Sequence, residues 1–187
     1  MSKGVTPSQT IGPFYWGTLV NAYRADLAPR GVAGERVDLA ISLHDVEGAL
    51  VPDGLIEIWQ ANSHGRYNHP DDRRNLPLDA AFEGFGRAST RTDGCSHFST
   101  VRPGRVPWPE GGLQAPHINI SVFARGLLNR FATRLYFDGD PALAEDPVLK
   151  MVEPARRDTL IAKRDGAGLW RLPIHLGGPA ETVFFDV

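Results

Sequence analysis

Cysteine is nearly absent from this chain: Cys95 stands alone among 187 residues. No intrachain disulfide can form, which excludes the disulfide-stapled secreted scaffolds and favours a reducing, cytoplasmic setting. Cys95 itself reads as a structural or incidental thiol, because no base-bearing motif adjoins it. Long apolar runs are missing too, and none approaches the roughly 20 residues that a membrane helix requires. Positive charge is not in excess: 20 Lys and Arg stand against 22 Asp and Glu, a formal net charge of −2. That balance provides no footprint for nucleic acid and no basic run for a membrane surface. Met1 to Pro7 lack the apolar segment of a signal peptide. There is no Gly-x-Ser-x-Gly elbow, P-loop, HExxH or Cys-x-x-Cys, and Gly84-Phe85-Gly86 lacks the βαβ setting of a dinucleotide site.

What is present is a series of short strand signals. Val37–Leu43, Leu55–Ala61, Arg87–Thr90, Cys95–Val101, Thr133–Phe137, Leu169–Leu176 and Thr182–Val187 are rich in β-branched and aromatic residues, with Gly, Pro and Asp turns between them. Thr92-Asp93-Gly94 reads as a hairpin turn. One helix is expected near Asp158–Arg164, and a turn or two more at Asp140–Asp146. The pattern predicts an all-β fold: a β-sandwich of mostly antiparallel strands with long loops and one or two short helices. The length fits one domain spanning 1–187, and residues 1–35 read as an irregular N-terminal arm in which Pro13 and two glycines argue against a helix. Two long loops, Asn62–Glu83 and Arg105–Pro116, are candidates for function or for an interface.

The most informative stretch is Gln114-Ala115-Pro116-His117-Ile118-Asn119-Ile120-Ser121-Val122-Phe123-Ala124-Arg125. Its alternation makes a strand, so His117 and Asn119 point to one face. A histidine at position 119 would complete a His-x-His metal clamp, but asparagine offers only a neutral amide oxygen. Tyr67, His64 and His69 are the other candidate ligands, too few to make a convincing site. Asp71-Asp72-Arg73-Arg74 reads as a solvated, self-neutralising loop. Arg125 reads either as a surface ion-pair partner or as an anion clamp at a pocket mouth.

Several ordered segments together resemble one family, the intradiol ring-cleaving dioxygenases. They are Thr6–Phe14, Ile56–Asn62 with Gly65-Arg66-Tyr67, Pro116–Ile120, Arg134–Phe137 and Thr182–Phe185. The resemblance implies a β-sandwich and the cleavage of a catechol by O2. It also implies non-haem Fe(III) held by two tyrosines and two histidines in the iron-bearing chains. Carried over residue by residue, the first tyrosine is Tyr67 and the first histidine His117. Val106 stands where the second tyrosine belongs, in Pro103-Gly104-Arg105-Val106-Pro107-Trp108. Asn119 replaces the second histidine, and the catalytic arginine falls at Gln114.

The resemblance therefore implies a degenerate chain that holds no metal and has no catalytic residue of its own. Its partner would be a related, iron-bearing beta chain. In such pairs the arm reaches the partner's substrate pocket, which points to Thr10, Gly12, Pro13 and Phe14, with Arg125 near the mouth of that pocket. Two other readings stay open: a self-sufficient metalloenzyme using Tyr67 and His117, and a binding module without chemistry.

Overall fold

A computed structural model describes residues 4–10, 12, 14–19, 24–90 and 92–187. Eight strands carry the fold: β1 Arg36–His44, β2 Leu55–Trp59, β3 Phe85–Ser89, β4 Cys95–Val101, β5 His117–Phe123, β6 Phe131–Phe137, β7 Ile161–Arg164 and β8 Trp170–His175. Among the described residues, two short helices, α1 Phe14–Leu19 and α2 Pro147–Met151, and two 3₁₀ turns accompany them. The all-β, mostly antiparallel expectation holds. Hydrogen bonding, however, runs unbroken through one sheet in the order β3-β2-β5-β6-β7-β8-β1-β4. β7 is the link, parallel to β6 on one side and antiparallel to β8 on the other.

The two halves of this sheet fold over a common core. Leu39, Ile41 and Leu43 from β1, Ile56 and Ile58 from β2, Ile118, Ile120 and Val122 from β5, and Leu172 and Ile174 from β8 are buried in one cluster. Each set alternates along its strand, so one face of every strand leaves water. The period-2 pattern of β5 behaves as expected: Ile118, Ile120 and Val122 enter the core, while His117 and Asn119 look out of the opposite face.

Four local expectations are corrected. Thr92-Asp93-Gly94 does not close a hairpin, because β3 pairs with β2 and β4 pairs with β1. The turn is a corner that carries the chain from one end of the sheet to the other. Asp158–Arg164 is not a helix: a 3₁₀ segment, Pro154–Leu160, gives way to β7 at Ile161. The strand expected at Thr182–Val187 reduces to a single bridge between Ala132 and Phe185. The arm is not wholly irregular either, since Phe14–Leu19 is helical. Tyr15 explains the last difference: it is buried, and its hydroxyl donates to the Asp53 carbonyl, so tertiary anchoring overrides weak local propensity.

The arm also closes a seam. The edges of β3 and β4 lie side by side without pairing, and residues 24–27 run between them. Arg24 exchanges backbone hydrogen bonds with Arg87 of β3, at 2.8 and 2.9 Å. Ser99 of β4 donates to Ala25 at 2.9 Å and accepts from Leu27 at 2.8 Å. Two edges that would otherwise present bare N–H and C=O groups are thereby paired.

Candidate functional site

Both long loops converge over the outward face of β5 and β6 and enclose a cleft of about 920 Å³. Its lining includes Tyr67, Val106, Gln114, His117 and Asn119, so the positions singled out in the sequence meet in space. A second hollow of about 590 Å³ adjoins it and shares Trp59, Trp108, Asn119 and Arg134.

The first loop is shaped by Asn62. Its side-chain oxygen accepts from the N–H groups of His64 and Arg66, both at 3.0 Å, while its amide donates to the Pro77 carbonyl at 2.9 Å. Its carbonyl accepts from Gly65 and Gly104, both at 2.9 Å, tying the two loops together. Tyr67 then stacks on Trp59, with ring centroids 5.6 Å apart. The Asp72 carboxylate accepts from the Tyr67 N–H at 2.8 Å and from Arg74 Nε at 2.8 Å. The reading of 71–74 as a merely solvated loop is therefore corrected: Asp72 is an organising residue, and its pairing with Arg74 holds its carboxyl well below the usual carboxylate range. His69 stands edge-on to Trp59, and His64 is outside the cleft lining.

The second loop doubles back on itself. Gln114 donates its N–H to Val106 at 2.8 Å and its side-chain amide to Pro107 at 2.9 Å. Buried Asp146 anchors the entry to β5 by accepting from the Ala115 N–H at 2.7 Å. His117 Nδ1 lies 2.8 Å from the Ala115 carbonyl, so the ring donates there and keeps Nε2 without a proton. Burial, with Arg134 nearby, pushes the imidazole down to about 4, so it is neutral near pH 7. Burial pushes the Tyr67 phenol above its ordinary value, opposed by Arg134, by a hydrogen bond with Asn119 and by Arg74.

These donors do not suit a ferric ion. Tyr67 and His117 are the only side chains at the four expected positions with the chemistry to ligate it. Val106 is apolar, and Asn119 offers a neutral amide. Arg134, which the sequence reading passed over as a site residue, adds a fixed positive charge to the same wall. It lies opposite Asn119 in the β5–β6 register and donates to Gln114 Oε1 at 2.7 Å. Its signal was present in the sequence: Arg134 and Tyr136 alternate with inward Thr133, Leu135 and Phe137, but only the strand pairing places them beside Asn119 and His117.

The second group of expected residues lies elsewhere. Thr10 Oγ1 accepts from the Gly126 N–H at 3.1 Å and from Gly12 at 3.4 Å, which lays the arm beside the turn that carries Arg125. Arg125 itself is ion-paired with Asp53, as in the simpler of its two readings. Pro13 lies outside the described residues, as does the Phe14 side chain, although the Phe14 backbone opens α1. His117 opens β5 and Arg125 lies just past its far end; the strand alone spans roughly 20 Å at about 3.3 Å per residue. The arm and the cleft are thus two separate places.

Comparison with known proteins identifies the family. Residues 24–168 match the family model described as Dioxygenase. The chain is 44% identical to the protocatechuate 3,4-dioxygenase alpha chain of Pseudomonas putida over 197 residues, covering 97% of this chain and 96% of that one. It is 39% identical to the beta chain of the same-named enzyme from Burkholderia cepacia over 132 residues, 70% of this chain and 56% of that one. A solved structure of 3-chlorocatechol 1,2-dioxygenase from Rhodococcus opacus 1CP shares the fold, with a TM-score of 0.62 at 18% identity over 93% of this chain and 66% of that one. The chain belongs to the intradiol ring-cleavage dioxygenase family, in the group of protocatechuate 3,4-dioxygenase alpha chains.

Proposed function

We propose that this chain is the alpha subunit of a protocatechuate 3,4-dioxygenase and that it acts by completing the substrate pocket of an iron-bearing beta subunit. The reaction opens protocatechuate between its two hydroxylated carbons. Both atoms of O2 enter the product, 3-carboxy-cis,cis-muconate. Iron bound in the beta chain supplies the activation of the catechol; this chain supplies shape and charge.

The observation that carries the reading is the separation along β5. The arm residues Thr10 and Gly12 gather with Arg125 at one end, about 20 Å of strand away from His117 in this chain's own cleft at about 3.3 Å per residue. From there they cannot serve Tyr67 or His117, but they are well placed to serve a neighbouring chain. Residues 4–10 are exposed throughout, as an arm that reaches outward requires. Thr10, Gly12, Pro13 and Phe14 would wall the partner's pocket. Arg125, held by its ion pair with Asp53 yet more than half exposed, would draw a benzoate-type anion toward its mouth with its outer face. The vestigial positions Tyr67, Val106, Gln114, His117 and Asn119 would hold no iron. The β-sandwich of the family suits the way the two sheet halves share a core. No helix among the described residues is long and apolar enough to cross a membrane, and a cytoplasmic complex fits the single free thiol.

Expression with and without a beta chain tests the proposal. The pair is expected to contain iron and turn over protocatechuate, and the chain alone to do neither. Stoichiometric iron with full turnover in the chain alone would establish a self-sufficient metalloenzyme instead. An inactive pair whose beta chain holds iron would favour a binding module.

A further inference from the structure

Arg134 brings a positive charge to the cleft with no acid in direct contact among the described residues. The residue is half-buried, and Nη1 donates to two neutral groups, Gln114 Oε1 at 2.7 Å and the Tyr136 hydroxyl at 3.2 Å. Nε and Nη2 have no protein acceptor among the described residues. Nor does Arg134 form an ion pair among those residues. Its link to an acid is indirect: the Tyr136 hydroxyl reaches Asp146 Oδ1 at 3.2 Å, and that oxygen also accepts from the Leu149 N–H.

The other charges lining the cleft do not cancel it. Asp72 is taken up by Arg74, and Asp71 points to solvent with its side chain 87% exposed. Arg73 is exposed at the rim and forms no ion pair among the described residues. The positive field of Arg134 reaches His117, where it adds to burial in holding the imidazole neutral, and Tyr67, where it opposes burial. The lining includes flat and apolar groups: Tyr67 stacked on Trp59 with ring planes 15° apart, and Val106, Pro107 and Trp108 of the second loop.

We propose that this cleft is a binding site for a small aromatic carboxylate, which Arg134 engages through its free donors while Tyr67, Trp59 and Trp108 pack against the ring. A guanidinium fork matches a carboxylate bidentately, and flat aromatic walls favour a flat ligand. The site has reversed sign. Where the iron-bearing chains of the family hold a cation, this chain presents one of its own and takes an anion. The proposal does not depend on the role of the arm, which lies at the other end of β5.

Equilibrium dialysis of the full-length chain against benzoate tests it. Saturable, equimolar binding is expected. The Arg134→Met variant should bind about 10–100-fold more weakly, the loss of a charge-assisted hydrogen-bonding partner. Arg134→Lys, which keeps the charge and loses the fork, should fall between the two. Thermal unfolding checks that each variant is folded, and the lysine variant decides the matter if the methionine variant is not. Benzyl alcohol keeps the ring without the charge, and inorganic phosphate keeps charge without the ring; each should bind at least about tenfold more weakly than benzoate. Three results would overturn the proposal: no saturable benzoate binding, benzoate binding indifferent to position 134, or phosphate binding as tightly as benzoate.

Discussion

Asn119 and Arg134 face each other in register across β5 and β6, an amide opposite a guanidinium on the floor of the cleft. On the proposed reading, this pairing adds a second obstacle to metal binding beside the two missing ligands. A neutral amide leaves a ferric ion short of a donor, and a fixed cation beside it raises the energy of any bound metal.

The Asn119→His variant alone is therefore expected to show no visible tyrosinate-to-iron charge-transfer band. The Val106→Tyr, Asn119→His double variant should still bind Fe(III) about 10–100-fold more weakly than a triple variant that also carries Arg134→Gln. Metal titration followed by visible spectroscopy measures both. A strong band in the single variant would show that the site needs neither change.

His117 makes stability depend on pH. Its pKa falls from the ordinary 6.5 to about 4 in the folded chain, chiefly by burial. Above pH 6.5 the ring is neutral whether folded or not, and its effect is constant. As pH falls through this window the unfolded chain takes up the proton first, so folding stability is lost between pH 6.5 and 4. The full loss is about 3 kcal/mol at about 1.4 kcal/mol per pK unit. Urea unfolding across this range should show the slope, and His117→Gln should flatten it.

Gly65 is the point where the two loops touch. Its φ is +78°, and a Cβ there would lie 2.1 Å from the Arg105 carbonyl oxygen. Gly65→Ala is expected to cost about 2–5 kcal/mol, combining left-handed backbone strain with overpacking against rigid backbone. Denaturant midpoints measure it. A cost under about 0.5 kcal/mol, the range of ordinary surface changes, would contradict the close approach.

Removing residues 1–12 takes away the outer part of the arm and leaves the seam at residues 24–27 in place. Within the described part of that segment, Thr10 bonds to Gly126, so the chain should lose only about 0.5–1.5 kcal/mol of stability. The activity of the assembled enzyme should fall about 10–100-fold, as misplaced pocket walls do. Equal losses in stability and activity would remove the case for an arm that serves its partner.

The strands of the core were legible because each buries one face: β1, β2, β4 and β5 follow a period of 2 that composition alone reveals. What escaped depended on pairing or on tertiary anchoring. Thr92-Asp93-Gly94 has the composition of a hairpin turn, yet the strands beside it join opposite ends of the sheet. Tyr15 holds a helix that its neighbours disfavour, and Ile161 leaves a helical pattern to pair with Tyr136. The same limit applied to the cleft. Tyr67, Val106, Gln114, His117 and Asn119 were found through motifs, whereas Arg134 reads as an ordinary outward residue until β6 is set beside β5. Asp72 looked solvated because its partner, the Tyr67 backbone, carries no signal in composition.

The seam along residues 24–27 also orders events in time. Arg24 and Leu27 emerge early in synthesis, but the backbone groups that receive them belong to Arg87 and Ser99, far downstream. Until β4 exists, neither sheet edge is sealed, and closing so long a loop carries an entropic cost that only the finished strands can offset. The arm therefore cannot dock until β4 has been made, which leaves β3 open to other strands in the interval. A beta chain synthesised nearby would meet this one while that edge is still exposed.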